Sequence, residues 1–377
     1  MSPRPPFTDP VFIVGLYKNG TSWLLAALAA HPEFAALREL DVLRSVAGRS
    51  GRRLLPERER LANVFGRSAF CALRTEQLER ARPLYGLPPD EAVAGLAQLF
   101  AADGPKGGPW VSRGKPLSFQ NFTPELLANA FAALRRASTP QAAMDGLLAA
   151  LAPGLPRERR LVLKGADQIL CLDALSDWRP EAPRIAIVRD GRDAAVSAFH
   201  YRELMRTRRM AWHHGHLSFV KPLAFLRDAG IRSLTSLRRL RGHGPDWRLG
   251  RSMGVWADRV RRVRAAAERS ELYVMRYEDL LADFDGHFAR LLAWLGADAT
   301  PGTVAAVAKA SSFEAMTGRP QGVAAEDVMR KGVAGEWHES FTTRDQALAW
   351  RIAGAELAAM GYGRDGVLQP YEPPKRG

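Results

Sequence analysis

The chain is poor in the features that mark several large protein classes. It has two cysteines, Cys71 and Cys171, too few for a disulfide framework and without metal-ligand spacing. A reducing compartment is the natural expectation. No uninterrupted apolar run reaches the ~18 residues a transmembrane helix needs; the stretch from Leu147 to Leu155 is apolar but short. Met1 to Pro10 lacks an apolar core before a small-residue cleavage site, which predicts no secretory signal and a cytoplasmic location. With 46% hydrophobic and 25% charged residues, wholesale disorder is excluded as well.

Acidic residues are also scarce. Lys and Arg number 54 against 40 Asp and Glu, for a net charge of +14. Between Tyr201 and Arg264 there are 16 Arg and Lys against 4 Asp and Glu, so that one stretch holds +12 of the excess. Such a surface raises the local concentration of anionic ligands; a solvated, arginine-rich helical face is the plainer reading. No nucleic-acid module is present, and aromatics are not interleaved with the basic residues as stacking platforms, so no nucleic-acid partner is expected. His213, His214 and His216 lack the helical pairing with an acid that a metal site would need, and no metal is expected.

What is present is an alternation of short apolar runs and helical patterns. Val11–Val14, Leu161–Lys164, Arg184–Val188 and Leu272–Met275 read as buried strands. Helices are expected over Trp23–Ala30, from about Asp193, over roughly Leu280–Leu295 and near Arg344–Met360. This pattern implies an α/β fold with a parallel sheet flanked by helices. With no repeat and no sharp linker, residues 1–377 read as one domain with helical insertions at about 45–155 and 201–260.

The first strand runs into Gly15-Leu16-Tyr17-Lys18-Asn19-Gly20-Thr21-Ser22 and then a helix, the arrangement in which backbone N–H groups and the helix dipole bind an anion. The glycine spacing fits the Walker A pattern, but Thr21 stands where that pattern needs lysine, and the lysine lies inside the loop at Lys18. The loop therefore suits a single 5′-phosphate with a cation beside it better than a triphosphate with Mg²⁺.

Lys18-Asn19-Gly20-Thr21-Ser22-Trp23 resembles the 5′-phosphosulfate loop of sulfotransferases that use 3′-phosphoadenosine-5′-phosphosulfate (PAPS), with Asn19 in place of the usual serine and Ser22 in place of the second threonine. Two further segments follow in that family's order. Arg189 at a strand end, with Ser197 eight residues later, is similar to the 3′-phosphate element; a guanidinium fork and a helix-borne hydroxyl suit a phosphate dianion. Arg330-Lys331-Gly332-Val333-Ala334-Gly335-Glu336-Trp337 is similar to the loop that clamps the same phosphate. Tyr277-Glu278-Asp279-Leu280 and Ser311-Ser312-Phe313-Glu314-Ala315-Met316 match between them. The resemblance spans roughly residues 11–345 and implies a P-loop-NTPase-like sulfotransferase fold.

It further implies that PAPS is the co-substrate, that adenosine 3′,5′-bisphosphate (PAP) is the product, and that Lys18, Asn19, Gly20, Thr21, Ser22, Trp23, Arg189, Ser197, Tyr277, Ser312, Arg330, Lys331 and Gly332 bind the nucleotide. Lys18 would neutralise charge on the departing 5′-phosphate, and Trp23 would stack on adenine or pack in the core. The histidine that small-molecule sulfotransferases carry after a lysine-ending strand is missing, since Lys164 is followed by Gly165, Ala166 and Asp167. Glycan- and tyrosine-sulfating members place a glutamate after a His-Pro pair, and here His31-Pro32 is followed by Glu39. Glu39 is the expected general base, with Asp167 and His200 in reserve. The acceptor is left open among small molecules, glycans, peptides and lipid-linked compounds. The rival readings are a P-loop kinase and a non-catalytic binder of anionic ligands or nucleic acid.

Overall fold

The computed structural model describes residues 10–37, 46–48, 51–57, 60, 91, 94–95, 98, 124–154, 158–165, 168–207, 246–269, 272–325 and 329–371. Among these residues five strands, β1 (Val11–Ile13), β2 (Phe34–Leu37), β3 (Arg160–Lys164), β4 (Arg184–Val188) and β5 (Tyr273–Arg276), form one sheet in the order β2-β3-β1-β4-β5. Every pair is parallel, with β1 at the centre between β3 (Phe12 opposite Leu163) and β4 (Ile13 opposite Ile185).

The strands are apolar except for basic residues at their ends, because both faces are covered. On one face Val11, Ile13, Val162, Ile185 and Met275 pack with α1 (Thr21–Ala30), α8 (Phe284–Leu295) and α9 (Pro301–Ala310). On the other, Phe12, Leu163, Ala186 and Val188 meet α2 (Pro124–Arg136), α3 (Pro140–Leu151), α6 (Asp246–Glu268) and α12 (Thr343–Ala359). Each fully buried Leu, Ile or Phe contributes about 1.5–3 kcal/mol, so the two layers account for much of the stability. The shorter helices are α4 (Leu172–Trp178), α7 (Tyr277–Ala282), α10 (Phe313–Thr317) and α11 (Trp337–Ser340); α5 spans Gly191–Thr207.

Two features differ from the sequence reading. Phe34-Ala35-Ala36-Leu37 is a strand although two alanines are poor strand formers. Its pairing with β3, Phe34 opposite Arg160 through Leu37 opposite Leu163, supplies what local preference lacks. The helix expected over 280–295 is two helices, because the Asp283 side chain accepts from Gly286 N at 2.9 Å and so starts α8 anew. Within the expected insertions, α2 and α3 pack on each other and on the core, whereas 208–245 lies outside the described residues, as do the histidines at 213–216. The last part of the basic stretch is the outer face of α6: Met253, Trp256, Val260 and Val263 are buried, while Arg251, Arg261 and Arg262 are exposed. No helix among the described residues is long and apolar enough to cross a membrane.

Candidate active site

The parallel sheet points the carboxyl ends of β1, β3, β4 and β5 the same way, and the sequence-predicted residues collect there. After β1 the chain turns through Lys18, whose φ of 64° is left-handed for a non-glycine residue, a strain of about 1–2 kcal/mol. Gly20 follows at φ 92° as the N-cap of α1. A Cβ on Gly20 would stand 2.6 Å from Tyr277 Cδ2, so glycine is required twice over. No side chain caps α1 and no acid occupies its first turn, which leaves its positive end facing outward.

Asn19 is fully buried. Its Oδ1 accepts from the backbone N–H of Arg189 at 2.7 Å, and its Nδ2 donates to Tyr17 O at 2.8 Å. The amide thus welds the loop after β1 to the end of β4. A serine there would be too short to make both bonds. Thr21 is buried at the start of α1. Ser22 Oγ accepts from Lys164 Nζ at 3.3 Å, across the gap to β3. Lys164 was not assigned a role from sequence, although a cation closing the apolar run Leu161–Leu163 was the available signal.

Trp23 donates its indole N–H to Ser311 O at 3.0 Å and lies edge-on to Tyr277, ring centroids 5.4 Å apart. The contacts of this indole are therefore packing contacts between α1, α7 and α9. Ser312 Oγ accepts from Ala315 N at 3.1 Å and caps α10. His31 is structural: its Nδ1 accepts from Glu33 N and its Nε2 donates to Asp298 O.

A second cluster of cations forms where β4 meets α5. The Arg189 guanidinium lies 4.8 Å from the Tyr277 ring centroid, donates to Val333 O at 2.6 Å and pairs with Asp193 at 3.4 Å. Its Nε is buried with no hydrogen-bond partner. Asp193, 1% exposed, also accepts from Gly335 N at 2.7 Å and Trp337 N at 2.9 Å, tying the 330–337 loop to α5. In that loop Arg330 pairs with Glu336, and Lys331 Nζ lies 3.3 Å from the same carboxylate. Burial and the nearby Arg189 push the Arg330 guanidinium below its ordinary value. Gly332, at φ 69°, lies so close to Phe313 that a Cβ would collide with the ring. Arg319 stiffens the turn through Val323 O, Arg330 O and Met329 O.

Behind this cluster Asp190 holds Arg192 bidentately, with Arg192 Nη2 to Oδ2 at 2.7 Å and Nε to Oδ1 at 3.0 Å; Arg192 also lies 3.8 Å from the Trp337 ring. Glu278 accepts from Asp190 N at 3.0 Å and from the Tyr362 hydroxyl at 2.8 Å. Burial, with the nearby Asp190 adding to it, raises the Glu278 carboxyl to about 7. Asp193, Glu336 and the Asp190–Arg192 pair were missed from sequence because a local pattern does not show which cation the fold brings to each acid. Ser197 is half-buried on α5 and His200 lies further along it, edge-on to Phe199. Glu39 and Asp167 lie outside the described residues.

Two anion-seeking groups therefore sit side by side: the open end of α1, and two neighbouring guanidiniums with a buried N–H to spare. Residues 10–225 match the family model described as "Sulfotransferase family", and residues 172–361 match "Sulfotransferase domain". Among solved structures, a mouse sulfotransferase complexed with PAP is 16% identical, with 96% of this chain and 88% of that chain covered and a TM-score of 0.45. A sulfotransferase from Alicyclobacillus acidocaldarius is 18% identical over 93% and 96%, with a TM-score of 0.37. Retinol dehydratase, in complex with androsterone and PAP, is 18% identical over 94% and 82%, with a TM-score of 0.41. With the two family matches running from residue 10 to residue 361, the chain belongs to the sulfotransferase family.

Proposed function

We propose that the chain transfers the sulfuryl group of PAPS to a hydroxyl or amine acceptor and releases PAP. The observation that carries this is the bond between Asn19 Oδ1 and Arg189 N. It places the loop suited to a 5′-phosphate next to a guanidinium whose buried Nε lacks a partner. A nucleotide with phosphates at both 5′ and 3′ positions meets both requirements; one with a 5′ chain alone meets only the first.

In this reading the loop amides, Thr21 and Ser22 hold the 5′-phosphate, with Lys18 and Lys164 carrying the countercharge. Arg189, Ser197, Arg330, Lys331 and the Gly332 backbone hold the 3′-phosphate. Tyr277, Trp23 and Ser312 bound the nucleoside side. The acceptor oxygen or nitrogen forms its bond to sulfur as the bond from sulfur to the bridging oxygen breaks. Charge then builds on that oxygen, where Lys18 offsets it. Glu39 takes the acceptor's proton in this reading, with Asp167 and His200 as the other candidates.

Thermal unfolding of the full chain with PAP, 5′-AMP, ADP, or ATP and Mg²⁺ tests the reading. A ligand at ~100 times its dissociation constant stabilises by about 2.7 kcal/mol. PAP is expected to stabilise without metal and more than 5′-AMP does, and Arg189→Gln is expected to erase that difference. Preference for ATP with Mg²⁺, or no response to PAP, would overturn it.

A further inference from the structure

The ammonium of Lys18 lies over an aromatic face. Its Nζ is 4.4 Å from the centroid of the Tyr201 ring and 5.8 Å from that of Tyr17, and the two rings meet edge-to-face at 5.7 Å. Tyr201 stands on α5, one helical step from Ser197 and two from Asp193, so the three residues line one face of that helix. Asp193 already fixes Arg189 and the 330–337 loop. The same helix face therefore reaches from the 3′-phosphate cluster to the lysine of the 5′ loop.

A ring face attracts an ammonium through its quadrupole and leaves the positive charge intact, whereas a carboxylate would cancel it. The left-handed turn fixes the Lys18 backbone, and a ring contact at the tip of a four-torsion side chain narrows the positions its charge takes up.

We propose that Tyr201 is a positioning residue for Lys18: its ring, edged by Tyr17, holds the ammonium beside the loop so that it reaches the bridging oxygen when the 5′-phosphosulfate arrives. This rests on the sulfotransferase reading and adds to it the residue that sets where the Lys18 charge stands. Because the contact is with the ring and not with the phenol, Tyr201→Phe preserves it and Tyr201→Leu removes it.

The test uses the full chain labelled with ¹³C,¹⁵N-lysine, with the Lys18 signal assigned through Lys18→Arg. The Lys18 ε-methylene is expected upfield of the other lysines through the ring current. It should remain there in Tyr201→Phe, return to the main lysine envelope in Tyr201→Leu, and move when PAP is added. Release of PAP from PAPS, with water as acceptor or with a hydroxyl acceptor once found, should fall roughly tenfold in kcat in Tyr201→Leu with KM for PAPS nearly unchanged, the scale of one cation–ring contact. Stepwise ring fluorination at position 201 should lower kcat in proportion and leaves packing nearly untouched, should the leucine variant fold poorly.

An unshifted Lys18 signal in wild type, or equal loss in Tyr201→Phe and Tyr201→Leu, would overturn the proposal. PAP binding measured on the same samples separates the two readings. Without PAP stabilisation of wild type the sulfotransferase reading fails whatever Lys18 does. With PAP bound and Lys18 indifferent to Tyr201, the positioning role fails alone.

Discussion

Two adjacent strand–helix junctions in this sheet solve the same problem in opposite ways. β1 leads into α1 and β4 into α5, side by side and parallel. At α1 the N-cap is Gly20, no side chain caps the helix, and its first turn has no acid. At α5 the chain supplies its own anions: Asp190 Oδ1 accepts from Arg192 N at 2.8 Å, Glu278 accepts from Asp190 N, and Asp193 sits in the first turn. An open helix end invites an external anion through its backbone. A filled end has no such vacancy, and its carboxylates are free to aim cations instead. Arg189 is what this second junction aims, so one junction presents backbone amides and its neighbour a guanidinium.

The most drastic way to break this contrast is to fill the open junction. In Ser22→Asp a carboxylate would stand at the first turn of α1 beside Lys164. Like-charge repulsion at close range is worth about 4 kcal/mol at an effective dielectric of 20. PAP affinity by calorimetry should thus fall a hundredfold or more, while the melting temperature of the ligand-free chain holds or rises. Binding within tenfold of wild type would show that the α1 end is not the anion site.

Emptying the filled junction has the next largest effect. Asp193→Asn removes the ion pair to Arg189 and leaves one of the Gly335 and Trp337 N–H groups facing an amide NH₂. Urea unfolding should show a loss of about 3 kcal/mol, together with weaker PAP binding. A loss below about 1 kcal/mol would mean the 330–337 loop is held by other contacts.

The subtlest change neutralises the same junction. Glu278 has its carboxyl at about 7 in the folded chain against an ordinary 4.5, so between those values the folded chain keeps a proton that the unfolded chain releases. Its contribution is full below about pH 4.5 and is lost as pH rises through about 7. From pH 5 to pH 8, wild type should lose on the order of 2 kcal/mol relative to Glu278→Gln, which has no such titration. Parallel pH curves for the two proteins would refute this.

The comparison also shows where sequence reading stops. The β1–α1 loop was legible because its residues are contiguous: Gly20 after Lys18 and before Thr21-Ser22 states the turn, the cation and the hydroxyls together. The cation cluster was legible only in halves. Arg189 and Arg330-Lys331 are 141 and 142 positions apart in a chain of 377, and it is Asp193, read from sequence only as a helix start, together with the Arg189 bond to Val333 O, that ties them to one place. Asn19 read as a small polar stand-in for serine; its work is to span two strands, which no local pattern shows. Trp23 read as an adenine stacker with core packing as the alternative, and its bond to Ser311, which no local pattern shows, crosses 288 residues.

The amino-acid sequence by itself determined the α/β class, the four apolar strands it marked, and the order of the phosphate motifs, because each depends on residues within one or two turns or a single strand. The tertiary structure alone decided the edge strand β2, which exists by pairing with β3, and the choice of carboxylates that hold each cation. It also decided the meeting of Lys18 with Tyr201. Those contacts are set by the parallel sheet, which carries distant strand ends to one rim, and burial there makes each unpaired charge costly enough that its partner must be found wherever the chain passes.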